Sequence, residues 1–191
     1  MFKVITQREA KKIVDHIINR VKEKPKDRIV VVGGVRRAKP RLKDIDFITN
    51  VDLNTVAERL GLEKQYAKTR RKIGFRFKDV KIDIFYVSYP DEWPYALLHY
   101  TGDWLFNIRV RNHAKHHGYK VNQYGIFDNK TGKRALGTER LKTEKQVLKF
   151  LDFPWREPYE RVSDVEKKVK PGKYKEPEIK RKRPMPIVLK K

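Results

Sequence analysis

The chain reads Val30-Val31-Val32-Gly33-Gly34-Val35-Arg36-Arg37 at residues 30–37, and an acidic segment, Asp44-Ile45-Asp46-Phe47, follows after a short loop. An apolar strand that runs into a Gly-Gly turn exposes backbone N–H groups, and glycine lets an anion approach them closely. Alternate residues of a strand point to one face, so Asp44 and Asp46 should lie side by side. Two carboxylates that close repel each other unless a cation lies between them. These residues therefore predict an anion-binding turn next to a cation site.

A third aspartate lies in a later apolar segment, Lys81-Ile82-Asp83-Ile84-Phe85. Mg²⁺ takes few protein carboxylates and completes its octahedron with substrate phosphate and water. Asp44, Asp46 and Asp83 together predict a two-metal site for in-line phosphoryl displacement. The alternative interpretation is structural, because most isolated Asp-x-Asp pairs are solvated strand ends and Asp83 would then be an exposed strand carboxylate.

The order of these motifs resembles the palm of a nucleotidyltransferase, and a downstream segment narrows the likeness. His99-Tyr100-Thr101-Gly102-Asp103, with Asn107 and Arg111 beyond it, resembles the Tyr-Phe-Thr-Gly-Ser motif of family X DNA polymerases. Two further segments resemble the hairpin and the closing motif that follow in that family, Val121-Asn122-Gln123-Tyr124-Gly125 and Phe153-Pro154-Trp155-Arg156-Glu157-Pro158. Because several motifs agree in order, the resemblance is specific for the family.

The resemblance implies catalytic and metal-binding roles for the three aspartates. Asp44 and Asp46 would bridge two Mg²⁺ ions, with Mn²⁺ as a substitute, and Asp83 would bind only the ion that activates the primer 3′-hydroxyl. Gly33, Gly34 and Arg37 would hold the triphosphate. The family usually has serine at the position of Gly34, so a hydroxyl contact is missing here.

The resemblance also implies the residues around the sugar and the base. His99 and Tyr100 replace the family's usual Tyr-Phe pair, which walls the sugar pocket, and this departure puts ribose exclusion in doubt. Gly102 and Asn107 belong to the implied nucleotide-binding set, and Arg111 to the template. Asn107 and Arg111 are four apart on a predicted helix, so they share a face. A polar helix face without function is the alternative for this pair.

The charge of the chain indicates its class of partner. Among 191 residues, 47 are Lys or Arg and 24 are Asp or Glu, which gives a net charge of +23. Such a field attracts polyanions, so nucleic acid is the expected partner. The resemblance implies primer-template or gapped DNA and dNTP, and we expect a monomeric protein. The chain has no cysteine, which excludes disulfides. No apolar run or secretory signal predicts membrane contact, so we expect an intracellular protein of the nucleus or cytoplasm.

The predicted fold class is α+β, with a polymerase-beta-like nucleotidyltransferase palm and a small α+β C-terminal subdomain. The palm, at 1–91, is a mixed sheet backed by helices. The nucleotide- and template-binding subdomain occupies 92–163, and 164–191 is a basic segment that we expect to be disordered. Lys180-Arg181-Lys182-Arg183-Pro184 in this tail predicts a nuclear-import signal, a phosphate-binding arm or only a solvated tail.

Local signals predict where individual elements begin and end. Capping boxes at Thr6-Gln7-Arg8-Glu9 and Thr143-Glu144-Lys145-Gln146 predict two helix starts. Asp91 is expected to cap a helix over 93–100, and Asp103 a second helix that runs to His117. A hairpin is expected to pair 120–127 with 133–136 through a turn at 128–132.

The function that these observations favour is a minimal template-directed DNA polymerase that fills short gaps, with repair as the role that the family implies. We expect no lyase activity, because the palm helix is expected to begin at Thr6. One alternative is an untemplated terminal nucleotidyltransferase acting on DNA or RNA ends, which shares the palm motifs. Another is a non-catalytic basic DNA-binding protein, although such a protein would gain from losing negative charge near phosphate.

Overall fold

The computed structural model describes residues 2–161, and the predictions for the basic tail lie outside this part of the chain. The first half contains three helices and seven strands. In chain order they are β1 Ile5–Thr6, α1 Gln7–Val21, β2 Ile29–Val31, α2 Gly33–Arg36, β3 Arg41–Leu42, β4 Asp44–Thr49, α3 Leu53–Leu60, β5 Ala67–Thr69, β6 Lys72–Phe77 and β7 Val80–Tyr86. These elements supply the sheet and the turn that were predicted to hold the acidic site.

The central sheet has five strands in the order β2-β4-β7-β6-β5. Only β4 and β7 run parallel, and the other neighbours are antiparallel. The parallel register places Asp46 directly opposite Asp83, and Asp44 opposite Lys81. Because β4 lies between β2 and β7, its carboxylates have a neighbouring strand on each side.

Helix α1 packs its apolar face on this sheet together with α3. Its buried residues recur at helical spacing and belong to one core with strands β2, β4, β6 and β7: Ala10, Ile13, Val14, Ile17 and Val21. The predicted capping box is present, since the Thr6 hydroxyl accepts from the Glu9 N–H and the Glu9 carboxylate accepts from the Thr6 N–H. Helix α3 ends at Gly61, whose left-handed backbone (φ 61°) suits glycine.

The second half contains three helices and a hairpin around a separate apolar cluster. They are α4 Trp93–Thr101, α5 Trp104–His116, β8 Tyr119–Asn122, β9 Gly125–Asp128 and α6 Glu144–Phe150. The cluster includes Tyr95, Phe106, Ile126 and Leu148. A third, smaller cluster joins Val32, just after β2, and Ile48 of β4 to Trp93 in α4, so it holds α4 against a face of the sheet.

The α+β class, with a mixed sheet backed by helices, is confirmed, whereas the domain limits stay a prediction. None of the helices within residues 2–161 has the length and apolarity that crossing a bilayer requires. The Gly-Gly segment differs from the simple turn predicted, because residues 33–36 form a single helical turn.

Two local predictions in the second half are wrong. Asp91 does not cap α4, because its carboxylate accepts a hydrogen bond from Arg134 and forms an ion pair with it. The hairpin turns at Gln123 and Tyr124, and residues 133–136 contribute one isolated bridge, between Phe127 and Arg134. The segment 128–132 is still a turn, in which the Asp128 carboxylate accepts from backbone N–H groups.

Candidate active site

Nine of the predicted site residues line one cleft of about 610 Å³ between the sheet and helices α4 and α5. They come from α2 and the residue after it, from β4, and from the region where α4 ends and α5 begins: Gly33, Gly34, Arg37, Asp44, Asp46, His99, Tyr100, Gly102 and Asn107. The volume falls in the range of small-molecule sites. Asp83 and Arg111 are not among the residues that line this cleft.

Gly33 is the point where the backbone comes closest to the acidic pair. Its φ is +59°, and a Cβ at this position would lie 2.3 Å from Asp46 Oδ2. The absence of a side chain therefore lets the Asp46 carboxylate lie against the Gly33 backbone, at the end of β2. The requirement for glycine is both conformational and steric at this residue.

The two arginines after the glycines contact the end of α4. Arg37 Nη1 donates to the Thr101 carbonyl, and Gly102 leaves room for this guanidinium, because a Cβ there would lie 2.9 Å from Arg37 Nη1. Arg36 is buried and donates to Thr101 Oγ1 at 2.5 Å. The predicted anion-binding turn is thereby joined to the α4–α5 junction by two side chains.

Arg36 also belongs to a buried ion cluster. Its Nη2 lies 2.6 Å from Glu144 Oε2, and Arg161 Nη1 lies 2.6 Å from Glu144 Oε1. Burial alone would raise the pKa of the Glu144 carboxyl, but the two guanidinium groups outweigh it and lower the pKa below its usual value. Glu144 is therefore an ionised bridge between α2, α6 and Arg161.

The acidic residues of β4 and β7 repel one another electrostatically. Burial, followed by the charges of Asp44 and Asp83, raises the pKa of the Asp46 carboxyl to about 7. Lys81 and Arg37 oppose this rise without cancelling it. A cation close to Asp44 and Asp46 would relieve the repulsion and lower the pKa of the Asp46 carboxyl.

Asp83 has an environment that the sequence did not reveal. It is 4% exposed, so the interpretation as an exposed strand carboxylate is wrong. Tyr66 Oη donates to its Oδ1 at 2.6 Å, Lys72 Nζ lies 3.1 Å from the same oxygen, and Lys81 Nζ lies 3.2 Å from Oδ2. Burial would raise its pKa, but the hydrogen bonds from Tyr66 and Lys72 and the charges of both lysines lower it.

Within residues 2–161, no three acidic or histidine side chains are gathered in an arrangement that could hold a metal ion. Asp44 and Asp46 line the cleft together, whereas Asp83 directs its oxygens to a phenol and two ammonium groups. Direct ligation by all three aspartates would thus require Asp83 to exchange an ammonium partner for the metal.

Helix α5 and the end of α4 form the opposite wall of the cleft. Asn107 Nδ2 donates to the His99 carbonyl at 2.7 Å, and Arg111 Nη2 lies 3.0 Å from His99 Nδ1. Burial and the charge of Arg111 lower the pKa of His99 to about 4, so its ring is neutral at pH 7. Arg111 lines a neighbouring pocket of about 500 Å³ that meets the main cleft at His99.

The aromatic rings of the cleft are arranged around Tyr100. Phe85 stacks on Tyr100 with ring centroids 4.1 Å apart, and His99 meets Tyr100 edge-on at 4.8 Å. These contacts fix the rings of His99 and Tyr100, the two residues at the positions of the Tyr-Phe pair named in the sequence analysis. The stack with Phe85 therefore fixes the Tyr100 ring relative to strand β7.

Sequence reasoning missed several residues that line the cleft. Three are basic and lie between the glycine turn and the acidic pair: Lys39, Arg41 and Lys43. Their clustering between Arg37 and Asp44 was visible in the sequence as a signal for polyphosphate. Trp104, at the first position of α5, was missed too, because nothing in the sequence said that its ring faces a cleft.

Comparison with known proteins gives consistent similarities. The sequence model of the DNA polymerase beta thumb family matches residues 96–162. The chain is 31% identical over 180 residues to the repair DNA polymerase X of African swine fever virus, a match that covers 83% of this chain and 100% of that protein. It is 27% identical over 186 residues to DNA polymerase lambda of Arabidopsis thaliana, covering 78% of this chain and 35% of that protein.

Proposed function

The chain belongs to family X of the DNA polymerases, and from this premise we propose that it adds deoxynucleotides to a primer 3′-hydroxyl opposite a template, in short-gap DNA repair. The observation that carries the proposal is the shared cleft. Its walls combine a glycine turn, an acidic pair and four cationic side chains: Arg37, Lys39, Arg41 and Lys43. Binding of a triphosphate needs cationic side chains and backbone N–H donors, and nucleotidyl transfer needs carboxylates that hold metal ions. This one cleft contains both sets of groups.

Polymerases of this family generally use divalent metal ions, and the donor chemistry of the cleft fits such ions in part. Asp44 and Asp46 line the cleft, and the raised pKa of Asp46 marks the negative charge that a cation would neutralise. We propose that Asp44 and Asp46 would hold two Mg²⁺ ions, or Mn²⁺ in their place. Asp83 would become a further ligand by giving up one of its two ammonium partners. When bound, such ions lower the pKa of the attacking hydroxyl and neutralise the leaving pyrophosphate.

The protein's own residues bind and orient the nucleotide. The backbone at Gly33 and Gly34 and the Arg37 guanidinium are the proposed triphosphate site, and positioning at a fixed point removes most of the entropic barrier to attack. His99, Tyr100 and Gly102 form the proposed sugar wall. Asn107, held by the His99 carbonyl, and Arg111, next to the same histidine, are the proposed groups that contact the new base pair.

The acidic pair is tested with Asp46→Asn, which keeps the size of the side chain and removes its charge. Nucleotide addition on a one-nucleotide gap with Mg²⁺ should fall by at least roughly a thousandfold, since about 4 kcal/mol of transition-state stabilisation is lost. DNA binding should stay equal or become tighter. Asp79→Asn is the matched control, because Asp79 is exposed and lies outside the cleft. Near-native turnover of Asp46→Asn would contradict the assignment.

Templating is tested with the same gap and each of the four dNTPs alone. Correct insertion should exceed incorrect insertion in the wild type, and Arg111→Ala should slow correct insertion about tenfold to a hundredfold, because a charged hydrogen bond contributes about 1.5–3 kcal/mol. An untemplated transferase would extend single-stranded ends and insert all four dNTPs at equal rates. That result would replace the templated function with the alternative.

A further inference from the structure

Trp104 is exposed at the wall of the cleft, at the first position of α5. Its residue surface is 66% exposed, although tryptophan is the largest apolar side chain in the protein. It lines the same cleft as Gly33, Gly34 and Asp46. Exposed aromatic groups of this size next to a binding cleft mark contact surface rather than core.

The other aromatic rings that line the cleft contact one another. Phe85 covers Tyr100 in a parallel stack, and His99 lies edge-on to Tyr100. Within residues 2–161, Trp104 stacks on no aromatic ring and lies under no cation. Among the rings of this part of the chain that line the cleft, its indole is therefore the one that neither another ring nor a cation contacts.

The neighbours of Trp104 decide which ligand fits. Asn107 lies three positions later in the same helix and lines the same cleft, and Ile108, which is 39% exposed, lies one turn beyond Trp104. Residues three and four apart share a helix face. The charged part of the cleft, around Arg37 and Asp46, suits phosphate, whereas this helix face offers apolar and amide surface next to it. A molecule with phosphates at one end and a flat aromatic group at the other matches both parts.

We propose that Trp104 is the stacking platform for the base of the incoming nucleotide, a role that rests on the proposed function of the cleft. Stacking needs only the π-face of the base, so it adds affinity without distinguishing one base from another. Trp104 would thus supply base affinity, and the choice between bases would be left to the template.

The test compares a nucleotide with and without its base. Trp104→Ala should raise the KM for dATP about tenfold, which corresponds to about 1.4 kcal/mol, with kcat changed less than twofold. The inhibition constant of 2-deoxyribose 5-triphosphate, which has no base, should stay within twofold of the wild-type value. Trp104→Phe should keep most of the affinity for dATP, whereas Trp104→Leu, which keeps apolar bulk but no π-face, should not.

Fluorescence gives a readout that does not depend on turnover. Binding of dATP without DNA should quench part of the tryptophan emission in the wild type, and Trp104→Phe should abolish this quenching, since Trp93 is buried and Trp155 lies outside the cleft. Tyr89→Ala is the matched control, because Tyr89 is 62% exposed and does not line the cleft.

Two results would overturn the proposal. One is an unchanged KM for dATP in Trp104→Ala, and the other is an equal loss of affinity for dATP and for the base-free triphosphate, which would indicate a structural effect. Wild-type primer extension in the same assay separates this failure from failure of the proposed function. If extension is robust and Trp104→Ala binds dATP normally, the polymerase function stands and the stacking role falls.

Discussion

Gly33 shows how a single hydrogen atom in place of a side chain lets the glycine turn and strand β4 lie close together. Its left-handed φ of +59° and the 2.3 Å approach of Asp46 Oδ2 to a Cβ position act independently. The first disfavours any L-residue by backbone strain, and the second would push the carboxylate away from its place in the cleft. The two effects can be separated experimentally because another glycine has only the first.

Gly61 provides that comparison. Its φ is +61°, and apart from Gly61 itself and its two chain neighbours, no atom of the described residues lies within 4 Å of a Cβ placed there. Gly61→Ala should lower the free energy of unfolding by about 1–2 kcal/mol from left-handed strain alone and leave nucleotide addition unchanged. Gly33→Ala should show a similar or larger loss of stability and, in addition, a loss of activity of at least roughly tenfold, because displacing a group by about 1 Å costs large factors in rate.

Denaturant unfolding and single-turnover insertion on gapped DNA measure the two effects. If Gly33→Ala and Gly61→Ala had the same activity, the close approach between Gly33 and Asp46 would have no role in the site.

Residue types and spacing predicted much of this cleft, but not the partners of each side chain. Asp44, Asp46 and the glycines follow directly from one strand, one turn and the next strand, which are close in the chain. The contacts of Asp83 with Tyr66 and Lys72 depend on how β5, β6 and β7 register, and register is a property of the whole sheet. Lys39, Arg41 and Lys43 were visible as charges, but charge alone does not say which surface a loop covers.

At the scale of elements, α6 is connected to the glycine turn by an ion pair between Glu144 and Arg36. Glu144, at its first position, bridges Arg36 of α2 and Arg161 near the end of the described chain. Removing one member of a buried ion cluster leaves the other charges without compensation. Glu144 therefore connects the first turn of α6 to α2 and to Arg161.

Glu144→Gln should lower the free energy of unfolding by about 3–5 kcal/mol, because two buried guanidinium groups lose their counter-charge. Glu139→Gln is the control: its partner Arg140 is 87% exposed, so the change should cost less than about 1 kcal/mol. Urea unfolding at about neutral pH measures both. Equal effects of the two substitutions would show that the buried cluster contributes no more than a surface pair.

The same comparison has a defined pH dependence. The pKa of Glu144 is lower in the folded protein than its ordinary value of 4.5. The unfolded chain therefore binds a proton more readily, and the stabilisation is complete above about pH 4.5 and is lost as pH falls through the lower, folded pKa. The stability difference between wild type and Glu144→Gln should be constant between about pH 8 and 6 and shrink only in acid.

Local signals predicted helix starts better than they predicted the hairpin. The capping boxes at Thr6 and Thr143 involve residues three apart, so nothing distant competes with them. Asp91 carried a similar signal, but Arg134, 43 residues away, takes its carboxylate. The hairpin instead turns at Gln123-Tyr124, inside the segment predicted as one strand, and Val121 and Ile126 of the paired strands both lie in the apolar cluster of the second half.

For the whole molecule, the net charge of +23 sets how binding to DNA responds to salt. Residues 164–191 hold eleven Lys and Arg against four Asp and Glu, so the net charge is +16 without them. Binding to gapped duplex should weaken steeply with salt, because each neutralised phosphate releases about 0.9 of a condensed counterion.

Removal of 164–191 should reduce the slope of log K against log salt by roughly 0.9 for each phosphate that the tail neutralises. Fluorescence anisotropy between about 50 and 300 mM salt gives both slopes. An unchanged slope and affinity would show that the tail does not touch DNA, and its basic run would then have another purpose. Gap filling by the truncated chain at low salt is the control for an intact cleft.

The parallel pairing of β4 with β7 has a consequence for synthesis of the chain. Strand β4 ends at Thr49, but β7 begins only at Val80, so about thirty residues must leave the ribosome before β4 gains its second neighbour. Until then, one edge of β4 is unpaired beside the apolar residues Ile45, Phe47 and Ile48, and such an edge can pair with another chain. Charged side chains on an exposed strand edge oppose such pairing, and Asp44 and Asp46 place two of them on this strand. Asp44 and Asp46 are thus charged residues on a strand edge that stays unpaired until β7 has been made.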